Sequence, residues 1–413
     1  LHVDAAYAGV SAVVPELRPL QDGVEWADSY TTDAHKWLLT GFDATLFWVA
    51  DRAALTGALG ILPEYLRNAA TDAGTANSAC LYDELARRKI IVSEVSYAFT
   101  EPQAAARHPY LWSYLMGVDR MMAATGEMAC ARLAGGTAAY STDPATREKP
   151  RTYGVILQTA NRDSELPVTS LTDALARCGI TVKETVAYDF AQDNGTRGRD
   201  AVTRMQAAEV TTIICVCIIF VEATLGPSAT AQNYYPEWVI SSYGSNDFDV
   251  LVKSSWSGSR QRQALFGITV QPPQRPLSKE PAWAAYTEVD PNLRVDHATS
   301  INLITLYRSL LLLGSGIQLA GPKLTPETFA SGLQRATFPN PADPTNSGAV
   351  GFLGPDHGMT DDAAEFWWSE SVTGADGTAG GLCYVDAGTR RRPGRWPRGP
   401  AAFFVEPCRR VTG

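Results

Sequence analysis

Residues 152–190, TYGVILQTANRDSELPVTSLTDALARCGITVKETVAYDF, pass from strand to helix and back to strand within one short span. TYGVILQ (152–158) reads as a strand, VTSLTDALARCGI (168–180) as a helix and TVKETVAY (181–188) as a second strand. The rhythm continues: GRDAVTRMQAAEV (198–210) reads as a helix and 211–221 as a central strand. Its apolar run IICVCIIFV (213–221) has the continuous character of a parallel strand buried on both faces. Alternation of this kind predicts a parallel α/β sheet.

Working outward, KIIVSEV (89–95) reads as a strand and YLWSYLMGVDRMMAATGEMACARLAGG (110–136) as one long helix closed by Gly135 and Gly136. On the other side, TLGPSATAQNYYPEWVISS (224–242) reads as a helix, a turn at Pro236 and a strand. SINLITLYRSLLLLGSGIQLAG (300–321) reads as a helix ended by glycines. TPETFASGLQRA (325–336) opens with Thr325 as N-cap and Pro326 at the first helical position, a strong helix start. The final segment is rich in Gly and Trp, with short strands such as GLCYVDAG (381–388). Before residue 79 the texture differs. LHVDAAY (1–7) and ATLFWVAD (44–51) read as strands, RAALTGAL (52–59) as a short helix and LPEYLRNAATDAG (62–74) as a loop.

The chain has 413 residues, 45% hydrophobic and 19% charged, which suits a soluble globular protein of two or three domains. A net charge of −9 gives no electrostatic reason to expect nucleic acid or an anionic membrane surface as partner. The basic cluster Arg390, Arg391, Arg392, Arg395 and Arg398 reads as a solvated tail face. No apolar run is expected to reach the length of about 20 residues that spans a bilayer. Residue 1 is Leu, with no charged n-region or apolar h-region after it, so a fragment is expected. The seven cysteines form no CxxC pair; Cys215 and Cys217 are expected as buried thiols, and a disulfide such as Cys383–Cys408 stays open. Five scattered histidines show no zinc pattern.

One segment carries chemistry. TTDAHKWLLTGFDATLFWVAD (31–51) places Lys36 between His35 and Trp37. Taken alone, such a lysine lies along the surface with its head in water; the other reading is a desolvated amine used as a nucleophile toward a carbonyl. Asp4 follows an apolar strand start and precedes small residues that let a flat ring lie close. A pyridoxal cofactor needs a lysine for its Schiff base and a carboxylate to hold its pyridine nitrogen protonated.

HVDAAYAG, ADS, DAHKWLL, FWV and LTGAL…PEYL, all within residues 1–74, resemble the group II pyridoxal-phosphate decarboxylases, closest to the aromatic L-amino-acid decarboxylases. The resemblance implies a piece of the large domain of a fold type I PLP-dependent enzyme. It makes Lys36 the Schiff-base lysine and Asp4 the partner of the pyridine nitrogen. Ala6 would pack under the ring, and His35 would sit beside the lysine near the cofactor phosphate. Tyr65 matches the tyrosine of a mobile catalytic loop that returns a proton to the substrate carbon. Pyridoxal 5'-phosphate is the implied cofactor, an aromatic L-amino acid the implied substrate, and a homodimer an arrangement the resemblance allows. A segment this short cannot bury the core of that domain, so decarboxylation by this polypeptide alone is not expected.

Residues 79–413 resemble a different family, the type 1 periplasmic solute-binding proteins of ABC transport systems. HPYLWSYLMGVDR (108–120), YGVILQ, GITVKETVAYDF (179–190), QNYYPEWVISSYG (232–244) and EFWWSES (365–371) carry this likeness. It implies two α/β lobes closing around a small, amino-acid-like solute. The expected organisation is a decarboxylase piece over 1–78, then an incomplete first lobe from 79–150 with about 290–340. A second lobe would follow over 151–289, and C-terminal strands and tail over 341–413. Tyr243, Asn246, Trp112 and Trp256 are candidate cleft residues, each equally readable as structural. Cytoplasmic enzymes and exported binding proteins differ in compartment, so location stays open, as does the origin of the join.

Overall fold

The computed structural model of the chain describes residues 1–6, 9–33, 45–51, 78–94, 99–159, 168–189, 195–256, 259–289, 297–336, 351–352 and 356–408. Two units are formed, Leu1–Glu84 and Leu85–Gly413. In the first, β1 (His2–Asp4), β2 (Ser29–Asp33) and β3 (Thr45–Val49) make a sheet in that order. β1 runs parallel to β2, with Asp4 opposite Thr31, and β3 pairs antiparallel to β2. Three 3-10 segments between Gly9 and Trp26 carry the chain from β1 to β2. RAALTGAL and LPEYLRNAATDAG lie outside the described residues. Helix α1 (Ser78–Arg87) spans the boundary between the units.

The second unit opens with two short parallel strands, β4 (Val92–Glu94) and β5 (Leu111–Ser113). Helix α2 (Val118–Arg132) follows, and then the alternation that the sequence displays. The elements are β6 (Tyr153–Thr159), α3 (Val168–Ala176), β7 (Val182–Asp189), α4 (Arg197–Ala207), β8 (Thr212–Val216), α5 (Ile219–Ala231) and β9 (Glu237–Ile240). Next come α6 (Asp249–Ser255) and β10 (Leu265–Thr269), then helices α7 (Pro281–Val289), α8 (His297–Ala320) and α9 (Pro326–Arg335). Strands β11 (Ala363–Thr373), β12 (Ala379–Tyr384) and β13 (Arg390–Arg391) close the chain.

The large sheet has the order β7-β6-β8-β9-β10-β11-β12, with β13 on β11. β7 through β10 are parallel; β11, β12 and β13 add antiparallel. Every residue of β8, β9 and β10 is buried, as strands covered on both faces require. The two faces carry separate apolar clusters. One gathers Met121, Val155, Ile214, Val239 and Phe266, the other Ile156, Ile213, Trp238, Trp256 and Phe366.

Several expectations change. The long helix over 110–136 is instead strand β5, an irregular turn and helix α2, with Gly117 as the N-cap residue. The run Leu111–Met116 is buried on all sides, so its apolar character suits strand and core helix equally. Likewise IICVCIIFV ends as a strand at Val216, and Ile219 begins α5. Residues 118–132, expected in the first lobe, pack on α3 and share a core with the large sheet. The C-terminal strands extend that same sheet.

The basic cluster is a solvated face only in part: Arg392, Arg395 and Arg398 are exposed, whereas Arg390 and Arg391 are tied into the fold. Arg390 is almost fully buried, donating to Asp362 Oδ1 at 2.7 Å and to the carbonyls of Val270 and Gln271, while Arg391 pairs with Asp386. Cys215 and Cys217 form a disulfide rather than standing as thiols, and Cys130–Cys178 and Cys383–Cys408 are also bridged. Ser300–Ala320 of α8 is long and apolar enough, by length and composition, to cross a membrane. In this fold one face of α8 packs on β4, α7 and α9, while Leu306, Leu310 and Leu311 are exposed.

Candidate functional site

In the first unit, Asp4 ends β1 with its side chain exposed, and its Oδ1 accepts the Ala6 N–H at 3.0 Å. The Ala5 N–H donates to the Thr31 carbonyl and the Asp33 N–H to the Ala6 carbonyl, so this strand end is tied across the sheet. An exposed carboxylate beside a small Ala6 fits one end of a pyridoxal ring, its protonated nitrogen. Lys36, His35 and Tyr65 lie outside the described residues. A recess of about 610 Å³ in this unit is lined by Tyr30, Thr32, Leu46 and Trp48 among others, and Asp4 is not part of it.

In the second unit, the parallel strands have the order 2-1-3-4-5, counted from β6. Sheets of this type bind ligands outside the carboxyl ends of their strands, beside the point where the order reverses. That point lies between β6 and β8. Here Gln158 Oε1 accepts the Ile218 N–H at 2.8 Å, joining the β6 end to the turn after β8. After β9, Ser242 adopts a left-handed conformation (φ 67°) and donates to Asp247 Oδ2 at 2.6 Å. Thr269, at the end of β10, donates to the same oxygen. Asp247 Oδ1 is buried without a hydrogen-bond partner, and burial raises the Asp247 carboxyl to about 6.

Beyond the strand ends stands α8. Its Arg308 donates to Gln271 Oε1 at 2.8 Å, just past β10. The Tyr114 phenol, buried beside Gln271 and Arg308, is pushed up to about 12 by desolvation. Ser309 of α8 exchanges hydrogen bonds with Ser93 of β4. Tyr114, Gln271, Arg308 and Asp247 thus form a polar seam between the large sheet and the α8 layer. Beside it lies a narrow recess of about 40 Å³, lined by Phe248, Arg275, Leu277, Ile301, Ile304 and Arg308. That volume holds a few waters at most, so the seam is closed here around its own side chains.

The four candidate cleft residues are buried supports. Trp112 donates to the Pro109 carbonyl, Trp256 to Glu222 Oε2, and Asn246 to Glu222 Oε1 and the Cys217 carbonyl. Tyr243 is also buried. The residues that do face the seam were absent from that set. Arg308 had a signal: it is the single charge within SINLITLYRSLLLLGSGIQLAG, where a cation must find a partner. Asp247 had none, since nothing in GSNDFD shows that its two acids, Asp247 and Asp249, are both buried.

The second unit is therefore an α/β fold with helices on both faces of its sheet and a polar centre at the strand ends. Solved structures agree in fold. A substrate-binding protein of an ABC transporter from Aeropyrum pernix superposes with a TM-score of 0.55, covering 78% of this chain and 76% of that one at 14% identity. A branched-chain amino acid ABC transporter protein from Thermus thermophilus with bound valine gives 0.53, over 74% and 73%, at 11% identity. A solute-binding protein from R. palustris in complex with 4-hydroxybenzoate gives 0.51, over 78% and 76%, at 11% identity. Residues 1–83 match the pyridoxal-dependent decarboxylase conserved domain. Over 72 residues the chain is 56% identical to phenylacetaldehyde synthase of Arabidopsis thaliana, and over 74 residues 53% identical to aromatic-L-amino-acid decarboxylase of Bos taurus. These stretches are 17–18% of this chain, which spans about 15% of the length of either relative.

Proposed function

We propose that the Leu85–Gly413 unit captures a small, carboxylate-bearing solute at the seam between its large sheet and the α8 layer. The observation that carries this is Arg308, a guanidinium with no carboxylate partner among the described residues, held to the neutral amide of Gln271. A solute carboxylate would meet a donor fork suited to its geometry. Ile301, Ile304 and Leu277 offer apolar surface for the rest of the molecule. The solved relatives with valine and with 4-hydroxybenzoate support the reading, because both ligands carry a carboxylate. The recess is small, so entry requires the two sides to part and then close, as hinged binding folds do. Three disulfides fit an oxidising compartment and favour export of this unit.

The test is a thermal-shift and titration series with valine, leucine, phenylalanine and 4-hydroxybenzoate. At least one should raise Tm in a saturable way, since a ligand at a hundred times its Kd stabilises by about 2.7 kcal/mol. Arg308→Ala should weaken that binding by about tenfold or more, the value of a charge-assisted bond. No shift with any of the four, or unchanged affinity in Arg308→Ala, refutes the reading.

A second reading concerns the first unit and is favoured by the decarboxylase-domain match over residues 1–83, which contain DAHKW, and by 53–56% identity to an aromatic-L-amino-acid decarboxylase and a phenylacetaldehyde synthase. Pyridoxal phosphate, when bound, supplies an electron sink for loss of a carboxylate. Asp4 would hold its ring nitrogen charged, Ala6 would lie under the ring, and His35 would stand near its phosphate. Lys36 would give the amine and Tyr65 the returning proton. Borohydride treatment with pyridoxal phosphate, followed by peptide mapping, should label Lys36 in the full chain and lose that label in Lys36→Ala. A label spread evenly over surface lysines defeats this assignment.

A further inference from the structure

A second recess opens at the other end of the large sheet. It measures about 980 Å³ and is lined by the last turn of α2, the turn after α3 and the loop 394–400. Arg151, which leads into β6, forms part of its wall, so it lies at the amino ends of the strands, away from Arg308. Its size is that of a pocket for a small organic molecule. Its lining includes apolar surface from Trp396, 8% exposed, and from the exposed Ala134 and Pro400. The Cys130–Cys178 disulfide borders it and fixes the α2 wall to the α3 turn.

Four arginines line this recess, and they divide into two pairs. Arg132 is bidentate to Glu365 at 2.6 and 2.7 Å, and Arg151 is bidentate to Glu237 at 2.8 and 2.9 Å. Both are neutralised and rigid. Arg177 and Arg398 are different. Arg177 is 61% exposed and, among the described residues, its side chain reaches only Glu127, at 3.5 Å. Glu127 is already engaged, accepting the Gly394 N–H at 2.7 Å. Arg398 is exposed and has no ion-pair partner among the described residues. The lining thus carries two exposed cations and the one carboxylate of Glu127, in a chain whose net charge is −9.

We infer that this recess is a second binding site, for a small organic anion whose oxyanion head meets Arg177 and Arg398 and whose apolar body lies against Trp396, Ala134 and Pro400. The site is independent of the seam at Arg308. Carboxylate and phosphate heads share this chemistry, and the experiment separates them.

The full chain carrying Arg308→Ala, which disables the seam, is titrated with benzoate, phenyl phosphate, inorganic phosphate and the neutral analogue benzamide, following tryptophan fluorescence and heat. Benzoate or phenyl phosphate should bind saturably in the millimolar range or tighter, and benzamide should not. Adding Arg177→Ala and Arg398→Ala together should weaken binding by about tenfold or more. Neither side chain supports the core, so an unchanged circular dichroism spectrum accompanies the loss. Trp396→Phe should remove the fluorescence response while binding remains visible as heat. Inorganic phosphate binding alone would reduce the site to an ion site and overturn the organic body. Absence of binding by both aromatic anions, equal binding of benzamide, or affinity unchanged in the double arginine variant overturns the proposal outright. These results leave the Arg308 reading untouched, because that seam is disabled throughout.

Discussion

Glu222 lies fully buried in α5, where Asn246 and Trp256 donate to its two oxygens at 2.8 and 2.9 Å and no cation stands nearby among the described residues. Burial pushes its carboxyl up to about 8. The folded chain therefore holds a proton there that the unfolded chain has released above about pH 4.5. Stability from this group is full below that value and is lost as pH rises toward and through about 8. Asp247 and Asp356, raised to about 6 and 7, act with the same sign at lower pH. Between pH about 6.5 and 8, urea midpoints should fall for the native chain, by at most roughly 1.4 kcal/mol per pH unit from Glu222. Glu222→Gln, neutral throughout, should show a visibly flatter profile over that range; parallel profiles would exclude Glu222 as the source. None of this was legible beforehand. The segment FVEATLGP gives Glu222 the look of an exposed helix acid, and only the sheet beneath it decides otherwise. Asp4 is the contrasting case: its position at the end of an apolar strand start could be read directly, and the structure puts it at the end of β1.

At the level of elements, legibility followed local chemistry. Thr325 accepts the Thr328 N–H and completes a capping box with Pro326 at the first helical position, so α9 begins where its sequence says. Strands β6 and β7 were likewise readable, since each apolar run ends near a turn signal, and so was the start of β8. Where an apolar run crosses an element boundary the signal fails, as at Leu111–Met116 and Ile218–Val221, because hydrophobicity reports burial rather than backbone form. The α2–α3 contact rests on another local detail. A side chain on Gly126 would place its Cβ 2.6 Å from that of Ala174 and 2.9 Å from the Leu171 carbonyl. Gly126→Leu should push these helices apart and lower unfolding free energy by about 2 kcal/mol or more, readable as a shifted denaturant midpoint. A midpoint within about 0.5 kcal/mol of the native value would show that the helices part without cost.

For the whole molecule, sequence likeness and fold likeness divide the chain between them. The first unit carries its match in residues, at more than half identity over 72–74 residues. The second carries its match in topology, at 11–14% identity, because sheet order and packing tolerate wide change in side chains. The second unit has one further property that follows from its strand order. The edge of β10 is covered by β11, which comes only after α7, α8 and α9 have been made. Until that late strand is in place, Phe266 and Ile268 border an open ladder of unpaired amides. A growing polypeptide of this design cannot finish its central sheet while the ribosome is still working through the helices.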